Sequence, residues 1–346
     1  MRRVLSIAFA VLVVCAVLFP VFGASKPLQI YFIDVEGGQS TLIVDPEGES
    51  LLIDTGWDDF NGRDADRIVA AAKAAGIEHI DDLLLTHYHA DHAGGVPQLA
   101  SRIKIGAFFD HGANVETATD TAKVYAAYEK VAAAAKRVTV KPGDVLPLKG
   151  MRVEVLEAAG AHIAEALPGA GQPNPLCASE PNYPRDPSEN AQSAGVLVTF
   201  GKFRFIDLGD LTNAKELGLA CPNNLIGTVD LYLVTHHGTA HPGSGDGSNA
   251  RAIVHMLRPR VAVMNNGAVK GGHPFAWQIV HDSPGLEGFW QLHYSLAGDK
   301  DHNVDEKFIA NVGGADQGNY IKVTAEPDAT FTVTNSRNNV SKSYTK

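Results

Sequence analysis

Three imidazoles and a carboxylate crowd into six consecutive residues at His87-Tyr88-His89-Ala90-Asp91-His92. Neutral imidazole together with carboxylate is the donor set that zinc-type ions prefer. The cluster follows Leu83-Leu84-Leu85-Thr86, an apolar run that reads as a buried strand. Where a strand gives way to a loop, side chains two and five positions apart can converge on a point. His87 and His89 could then hold one metal while Asp91 and His92 hold a second. A lone histidine would be better read as an ordinary polar residue, and it is the density that reverses this preference. Gly94-Gly95 follow at once and let the backbone turn tightly beside the ions before a helix from about Val96.

The elements that must position these groups are legible on both sides of the cluster. Three apolar runs at 28–35, 41–44 and 51–53 are parted by the turn signals Glu36-Gly37-Gly38 and Pro46-Glu47-Gly48, which predicts an antiparallel meander. Residues 64–75 are Ala-rich and stop at Gly76, as a helix does, and 82–86 form the strand that delivers His87. A long Ala-rich helix is expected over 116–136 and a strand over 152–156. Periodicity then vanishes from about 158 to 190, where six prolines are spread. A stretch of this kind is usually functional or disordered, and it is expected as an insertion near the mouth of the site or a plain surface excursion. Order resumes with a hairpin, 195–200 and 203–208 joined at Gly201-Lys202, and then comes Gly209-Asp210. A strand over 230–235, a helix over 249–257 and a strand over 261–264 follow. Strand pairs near each end with strand and helix alternating between them predict an α/β fold of two sheets sandwiched by helices.

The 346 residues, 45% of them hydrophobic, suffice to bury a full core, and no low-complexity linker divides them. One catalytic domain over 25–346 is expected. Arg2-Arg3, an apolar run from Val4 to Phe22 and the small residues Gly23-Ala24-Ser25 read as a secretory signal peptide over 1–24. About 18 apolar residues could also just span a bilayer as a retained anchor, but Pro20 and the small residues after it favour cleavage. Cys15 lacks the small residue expected before a lipidated cysteine. The mature chain is therefore expected to be secreted or periplasmic, with no stable membrane partner. An oxidising compartment would let Cys177 and Cys221 pair, with two unpaired small hydrophobes as the equal alternative. The formal charge of −10, more negative still without Arg2 and Arg3, disfavours binding duplex nucleic acid through a basic face. It does not exclude an anionic substrate, because divalent cations would be the largest local charge in a pocket.

The motif His-x-His-x-Asp-His after an apolar strand resembles the signature of the metallo-β-lactamase superfamily. The resemblance runs from about Leu28 to Arg337 and is closest to the hydrolase domain at the C-terminus of DNA-uptake competence proteins and to phosphorylcholine esterases. Four further segments carry it: Asp34-Val35-Glu36-Gly37-Gly38-Gln39-Ser40, Leu52-Ile53-Asp54-Thr55-Gly56, Leu208-Gly209-Asp210 and Leu233-Val234-Thr235-His236-His237-Gly238. It implies a four-layer αββα sandwich and a two-metal site with His87, His89, Asp91, His92, Asp210 and His236 as ligands. Asp210 takes the metal-bridging role of the superfamily's Gly-Asp segment; alone, an Asp after a strand would be an N-cap or turn former. The final ligand is assigned to His236, with His237 as its alternative and otherwise an outer or substrate contact. Asp34 and Asp54 are candidates to orient a ligand imidazole from behind, or else to stabilise loops. The superfamily's third histidine of the first metal site has no clear counterpart. His111 lies too early and His162 heads the proline-rich stretch, so the resemblance puts Asn190 near that place, which leaves zinc or manganese open as the occupant. Gly272-His273-Pro274 resembles a segment that lines the pocket in the same group, or is a turn before a helix. His241, His255, His281, His293 and His302 read as ordinary polar residues.

Two cations sharing a water would lower its pKa and present hydroxide to carbon or phosphorus, with Asp91 and Asp210 fixing it as the catalytic carboxylates. The expected cofactors are two divalent ions, Zn2+ first and Mn2+ second. The expected reaction is hydrolysis of a phosphodiester or phosphoester in a small or single-stranded substrate. Alternatives are a lactone, thioester or β-lactam hydrolase on the same site, which the absent third histidine disfavours, and a non-catalytic metal-binding module. No Gly-x-Ser-x-Gly elbow and no phosphate-cradling glycine loop followed by Lys is present.

Overall fold

The computed structural model describes residues 26–58, 60–117, 119–240, 245–313 and 317–346. The expected signal peptide over 1–24 lies outside them.

The chain builds one sheet, then a second, and finally returns to the first. The first sheet takes β1 (Leu28–Phe32), β2 (Thr41–Val44), β3 (Ser50–Ile53), β4 (His79–Leu84), β5 (Lys104–Asp110) and β6 (Lys136–Thr139). The second takes β7 (Arg152–Ala158), β8 (Ala161–His162), β9 (Gly195–Phe200), β10 (Phe203–Asp207), β11 (Leu231–Leu233), β12 (Val261–Met264), β13 (Gly288–His293) and β14 (Ile309–Asn311). Strands β15 (Ile321–Ala325), β16 (Phe331–Asn335) and β17 (Ser341–Tyr344) then add to the first through β1. The strand orders are β17-β16-β15-β1-β2-β3-β4-β5-β6 and β14-β13-β12-β11-β10-β9-β7-β8. Each sheet is antiparallel where hairpins join its strands and parallel where a helix crosses over, as at β3 to β4 and β11 to β12.

The period of two along each strand decides the layers. Ile30 and Phe32 on β1 face Phe205, Leu231 and Val263 of the opposite sheet, while the intervening Tyr31 faces outward. On that outer face Tyr31, Leu42, Leu52 and Leu83 are covered by α1 (Arg63–Ala75), α3 (Val96–Ala100) and α4 (Asp120–Ala132). On the far side Leu197, Ile206 and Tyr232 are covered by α5 (Asn213–Ala220), α6 (Arg251–Leu257) and α7 (Pro274–His281). Three buried apolar seams thus separate four layers in the order α, β, β, α. A single-turn helix, α2 (Ala90–Ala93), stands apart from this pattern and belongs to the site.

Several boundaries differ from the sequence reading. The helix expected over 116–136 is α4, shorter at both ends, because Lys136–Thr139 pairs with β5 as an edge strand. The strand before His87 runs from His79 to Leu84, leaving Leu85 and Thr86 as an exit segment whose Leu85 amide still donates to Phe109 O at 2.9 Å. The proline-rich stretch is ordered: it holds β8, a 3-10 turn at Pro175–Ser179, and a disulfide from Cys177 to Cys221 at the end of α5.

Candidate metal centre

Apolar strand sequence brings the ligand-bearing turns together. Leu83, Leu84 and Leu85 are fully buried, so the chain must leave the sheet at Thr86 with His87 still inside the protein. Tyr88 anchors the next step, buried among Tyr125, Tyr128 and His111 with its hydroxyl donating to Gly112 O at 2.6 Å. His89 then starts α2, which carries Asp91 and His92 inward. From the second sheet, β10 ends in Leu208-Gly209-Asp210. Gly209 has φ +57°, and a Cβ there would lie 2.7 Å from Thr86 Cβ, so only glycine lets these two strand exits touch. The third stretch follows β11: His236 and His237 both hold φ 55°, a left-handed conformation that costs a side-chain-bearing residue energy and is retained where the surroundings enforce it. Here the His236 amide donates to Gly209 O at 2.9 Å and the Gly272 amide to His237 O at 2.8 Å.

Asp91, His92, Asp210 and His237 converge with one donor atom each, all within 4.8 Å of one another, and could hold a metal ion. His92 Nε2 and His237 Nε2 are 3.2 Å apart. Asp91 Oδ2 lies 3.3 Å from each of those nitrogens, and Asp210 lies 3.2 Å from His92 and 3.3 Å from His237. His87 and His89 form a pair beside this group, His87 Nε2 to His89 Nδ1 at 3.1 Å, with the His87 and His92 rings 4.1 Å apart. His236, the ligand assigned from sequence, stands outside the four-donor group, and His237 takes that position. His236 Nε2 reaches Asp210 Oδ2 at 3.3 Å and its Nδ1 meets Ser248 Oγ at 3.2 Å. The reason is the turn itself: with both residues left-handed, the second imidazole and not the first is carried into the buried interior, where His237 is fully enclosed.

The surroundings tune these donors. Asp54 accepts from His92 Nδ1 at 2.7 Å, from the Thr86 amide at 2.8 Å and from Thr86 Oγ1 at 2.6 Å. That contact fixes the His92 ring so that Nε2 points into the cluster. Burial opposes a charge on Asp91, but the Lys270 ammonium, His92 and hydrogen bonding to His237 hold its carboxyl well below the usual range. Burial likewise opposes a charge on Asp210, which His236, His237 and His92 hold well below that range. Burial, reinforced by His92 and His89, pushes His87 well below the ordinary imidazole value. Burial also opposes protonation of His92, yet Asp210, Asp91 and Asp54 push its pKa well up. In addition, Asp210 Oδ1 and His237 Nδ1 are buried with no hydrogen-bond partner. Ionised carboxylates, inward-aimed imidazole nitrogens and an orphaned buried oxygen are what a divalent cation satisfies, so the donor set fits one.

Other candidates fall around this centre. Asn190 sits in a 3-10 turn, Asn190–Gln192, buried and with Oδ1 unpartnered; the same turn leads to Ser193, whose Oγ accepts from the Asp210 amide at 3.3 Å. His273 caps α7 beside Gly238 O, and its Nδ1 accepts from the Ala240 amide at 3.4 Å. His111 binds Glu189 at 2.9 Å, and His162 is exposed on β8. Asp34 does not support a cluster imidazole. It takes the loop role: it accepts from His293 Nε2 at 2.7 Å, from Arg67 Nη1 at 3.1 Å and from the Glu36 amide at 2.9 Å. Asp34, Glu36 and His293 are a second group with metal-compatible spacing, but the Arg67 guanidinium already sits on Asp34.

Two acids escaped the sequence reading. Glu116 receives His89 Nε2 at 3.2 Å and the Glu189 amide at 3.0 Å. Glu189 in turn accepts from the Tyr88 amide at 3.2 Å and the Val115 amide at 2.7 Å. Glu189 lies in a stretch without periodicity and Glu116 at the start of the expected helix, in a loop ahead of α4, and neither is near in sequence to the motif it supports.

Fold and site together define a class of α/β proteins with a metal-compatible centre at the strand exits of two facing sheets. Residues 33–172 match the family model described as Metallo-beta-lactamase superfamily. It is 25% identical over 271 residues to ComE operon protein 3 of Bacillus subtilis (strain 168), which covers 73% of this chain but 30% of that protein. The chain thus spans 30% of the length of that relative. Among solved structures it is similar to the metallo-beta-lactamase fold protein YhfI from Bacillus subtilis, with 13% identity, TM-score 0.48, and coverage of 76% of this chain and 96% of that one. It is also similar to CmlA, a diiron beta-hydroxylase from Streptomyces venezuelae, with 18% identity, TM-score 0.41, and coverage of 75% and 47%.

Proposed function

We propose that this protein is an exported, metal-dependent hydrolase that cleaves a phosphodiester or phosphoester in a small or single-stranded substrate. The observation that carries the reading is the convergence of Asp91, His92, Asp210 and His237 from three separate stretches of chain, with the His87 and His89 pair against it. Asp91, His92, Asp210 and His237 would hold one divalent ion, and His87 and His89 would contribute to a second. Zinc is the first expectation for imidazole-rich donors and manganese the second. When bound, such a pair lowers the pKa of a shared water and neutralises negative charge developing on the substrate.

The chain's own residues do the positioning. Asp54 and Thr86 lock the His92 ring, Glu116 steadies His89, and Asp91 and Asp210, whose carboxyls are held well below the usual range despite burial, would orient the attacking water. Export is supported by the apolar N-terminal sequence and by the Cys177–Cys221 disulfide, a bond that persists in oxidising compartments.

Metal analysis of the purified protein, followed by assays of bis-p-nitrophenyl phosphate, a phosphorylcholine ester, a lactone and a chromogenic cephalosporin with zinc and with manganese, tests the reading. About two equivalents of metal and chelator-sensitive phosphodiester turnover are expected. Turnover confined to the carbonyl substrates would move the protein to lactone, thioester or β-lactam hydrolysis. Absence of bound metal would make it a non-catalytic module.

A further inference from the structure

We propose that Lys270 is the residue that selects for negative charge in the substrate, binding a non-bridging phosphate oxygen beside the metal centre. The inference rests on the hydrolase reading above and gives that site a substrate preference.

Lys270 lies in the loop after β12, which one contact closes on itself and two press onto the site. The Gly267 amide donates to Lys270 O at 2.9 Å, and the Gly272 amide donates to His237 O at 2.8 Å. Between them Gly271, at φ +74°, runs so close to the His236-His237 turn that a Cβ would fall 2.2 Å from His237 O. The backbone carrying Lys270 is therefore fixed against the very turn that supplies His237. Its ammonium contacts Asp91 Oδ2 and stands 5.3 Å from the centroid of the Trp57 ring.

Among the described residues, no other Lys or Arg forms an ion pair with Asp91 or Asp210. A cation taken up by Asp91 competes with the ammonium for that carboxylate oxygen. The side chain has room to yield, because it keeps 35% of its surface open while Asp91 is almost enclosed. A four-carbon stem with three rotatable donors suits that exchange better than a rigid guanidinium would. Released from Asp91, the ammonium stays within a side-chain length of it and keeps its opening to solvent. An anionic oxygen held near Asp91 can form a charge-assisted bond there. A neutral ester or lactam offers no such oxygen in its ground state, so this cation favours phosphate over uncharged carbonyl substrates.

The test titrates inorganic phosphate into the zinc-loaded full chain by calorimetry, with metal content measured on each sample, for wild type, Lys270→Gln and Lys270→Arg. Phosphate affinity is expected to fall about tenfold or more in Lys270→Gln and to stay within about threefold in Lys270→Arg, with metal content unchanged in both. Added salt should weaken wild-type binding and affect Lys270→Gln far less. Equal phosphate affinity in wild type and Lys270→Gln, or no phosphate binding by wild type, would overturn the proposal and reduce Lys270 to a counter-ion for Asp91. Loss of metal from Lys270→Gln would do the same, since it would make the side chain part of the scaffold. Phosphate binding that depends on Lys270 in a protein that cleaves no phosphodiester would leave this inference standing and sink the hydrolase reading instead.

Discussion

At the scale of single residues, the site divides into groups that could touch a metal and groups that aim them. His237 belongs to the first kind, and His237→Ala should remove about one metal equivalent and lower phosphodiester turnover more than 100-fold, whereas His236→Ala should keep its metal and lose less. Elemental analysis beside a bis-p-nitrophenyl phosphate assay separates the two, and equal loss of metal from both variants would contradict the geometry. His89→Ala should abolish turnover while leaving the thermal midpoint within a few degrees, because His89 is partly exposed and outside all three apolar seams. Asp54 belongs to the second kind. Asp54→Asn keeps the shape but loses the charge that faces His92 Nδ1, and about a 10- to 100-fold weaker metal affinity is expected by competition with a chelating dye. An unchanged affinity would mean that packing alone orients the ring.

At the scale of elements, the strands supply rigidity and the loops supply chemistry. The proline-rich stretch is tied down by the Cys177–Cys221 bridge, which closes a loop with a sequence separation of 44. In the chain-entropy picture a loop of that size stabilises the fold by about 4 kcal/mol at most. The Cys177→Ser, Cys221→Ser double variant should therefore melt several degrees lower, as followed by circular dichroism, and a midpoint equal to wild type would show that the stretch adds nothing to the folded state. Strand β7 holds a different liability. Burial raises Glu157 to about 8 against a weaker lowering by Lys215, and both carboxylate oxygens are buried without a hydrogen-bond partner. A carboxyl whose folded pKa exceeds its unfolded value is stabilising when protonated. Its contribution is complete below about pH 4.5 and is lost as pH rises through about 8. Glu157→Gln should flatten that decline, so urea unfolding at pH 9 should find the variant more stable than wild type. A parallel pH dependence in both proteins would rule Glu157 out as its source.

At the scale of the whole molecule, charge sets the partners. The formal net charge of −10 draws cations toward the centre and repels an anionic substrate everywhere but at a cation-loaded pocket. Duplex nucleic acid needs a basic face to release its counterions, and small or single-stranded anions need only the pocket. At physiological salt the metal-loaded protein should fail to retard a DNA duplex in a gel while still turning over a small phosphodiester. Retention of the duplex at that salt would mean that a basic surface forms in the fold that the composition hides.

The sequence by itself determined the donor types, a strand leading to His87, the meander at the start and two sheets sandwiched by helices, because each rests on a period or a motif within a short window. It could nominate Asp210 and the His236-His237 pair through resemblance to a known signature. What only the tertiary structure decided is which atoms meet. The entry of His237 into the four-donor group, with His236 beside it against Asp210, turns on two left-handed residues held by Gly209 and Gly272. The partnership of Glu116 with His89, the pairing of Cys177 with Cys221, and the descent of Lys270 onto Asp91 across 179 positions of sequence have the same origin. Local periodicity fixes which face of an element is buried, whereas contacts between loops depend on how whole sheets twist and dock, and no window of sequence contains that geometry.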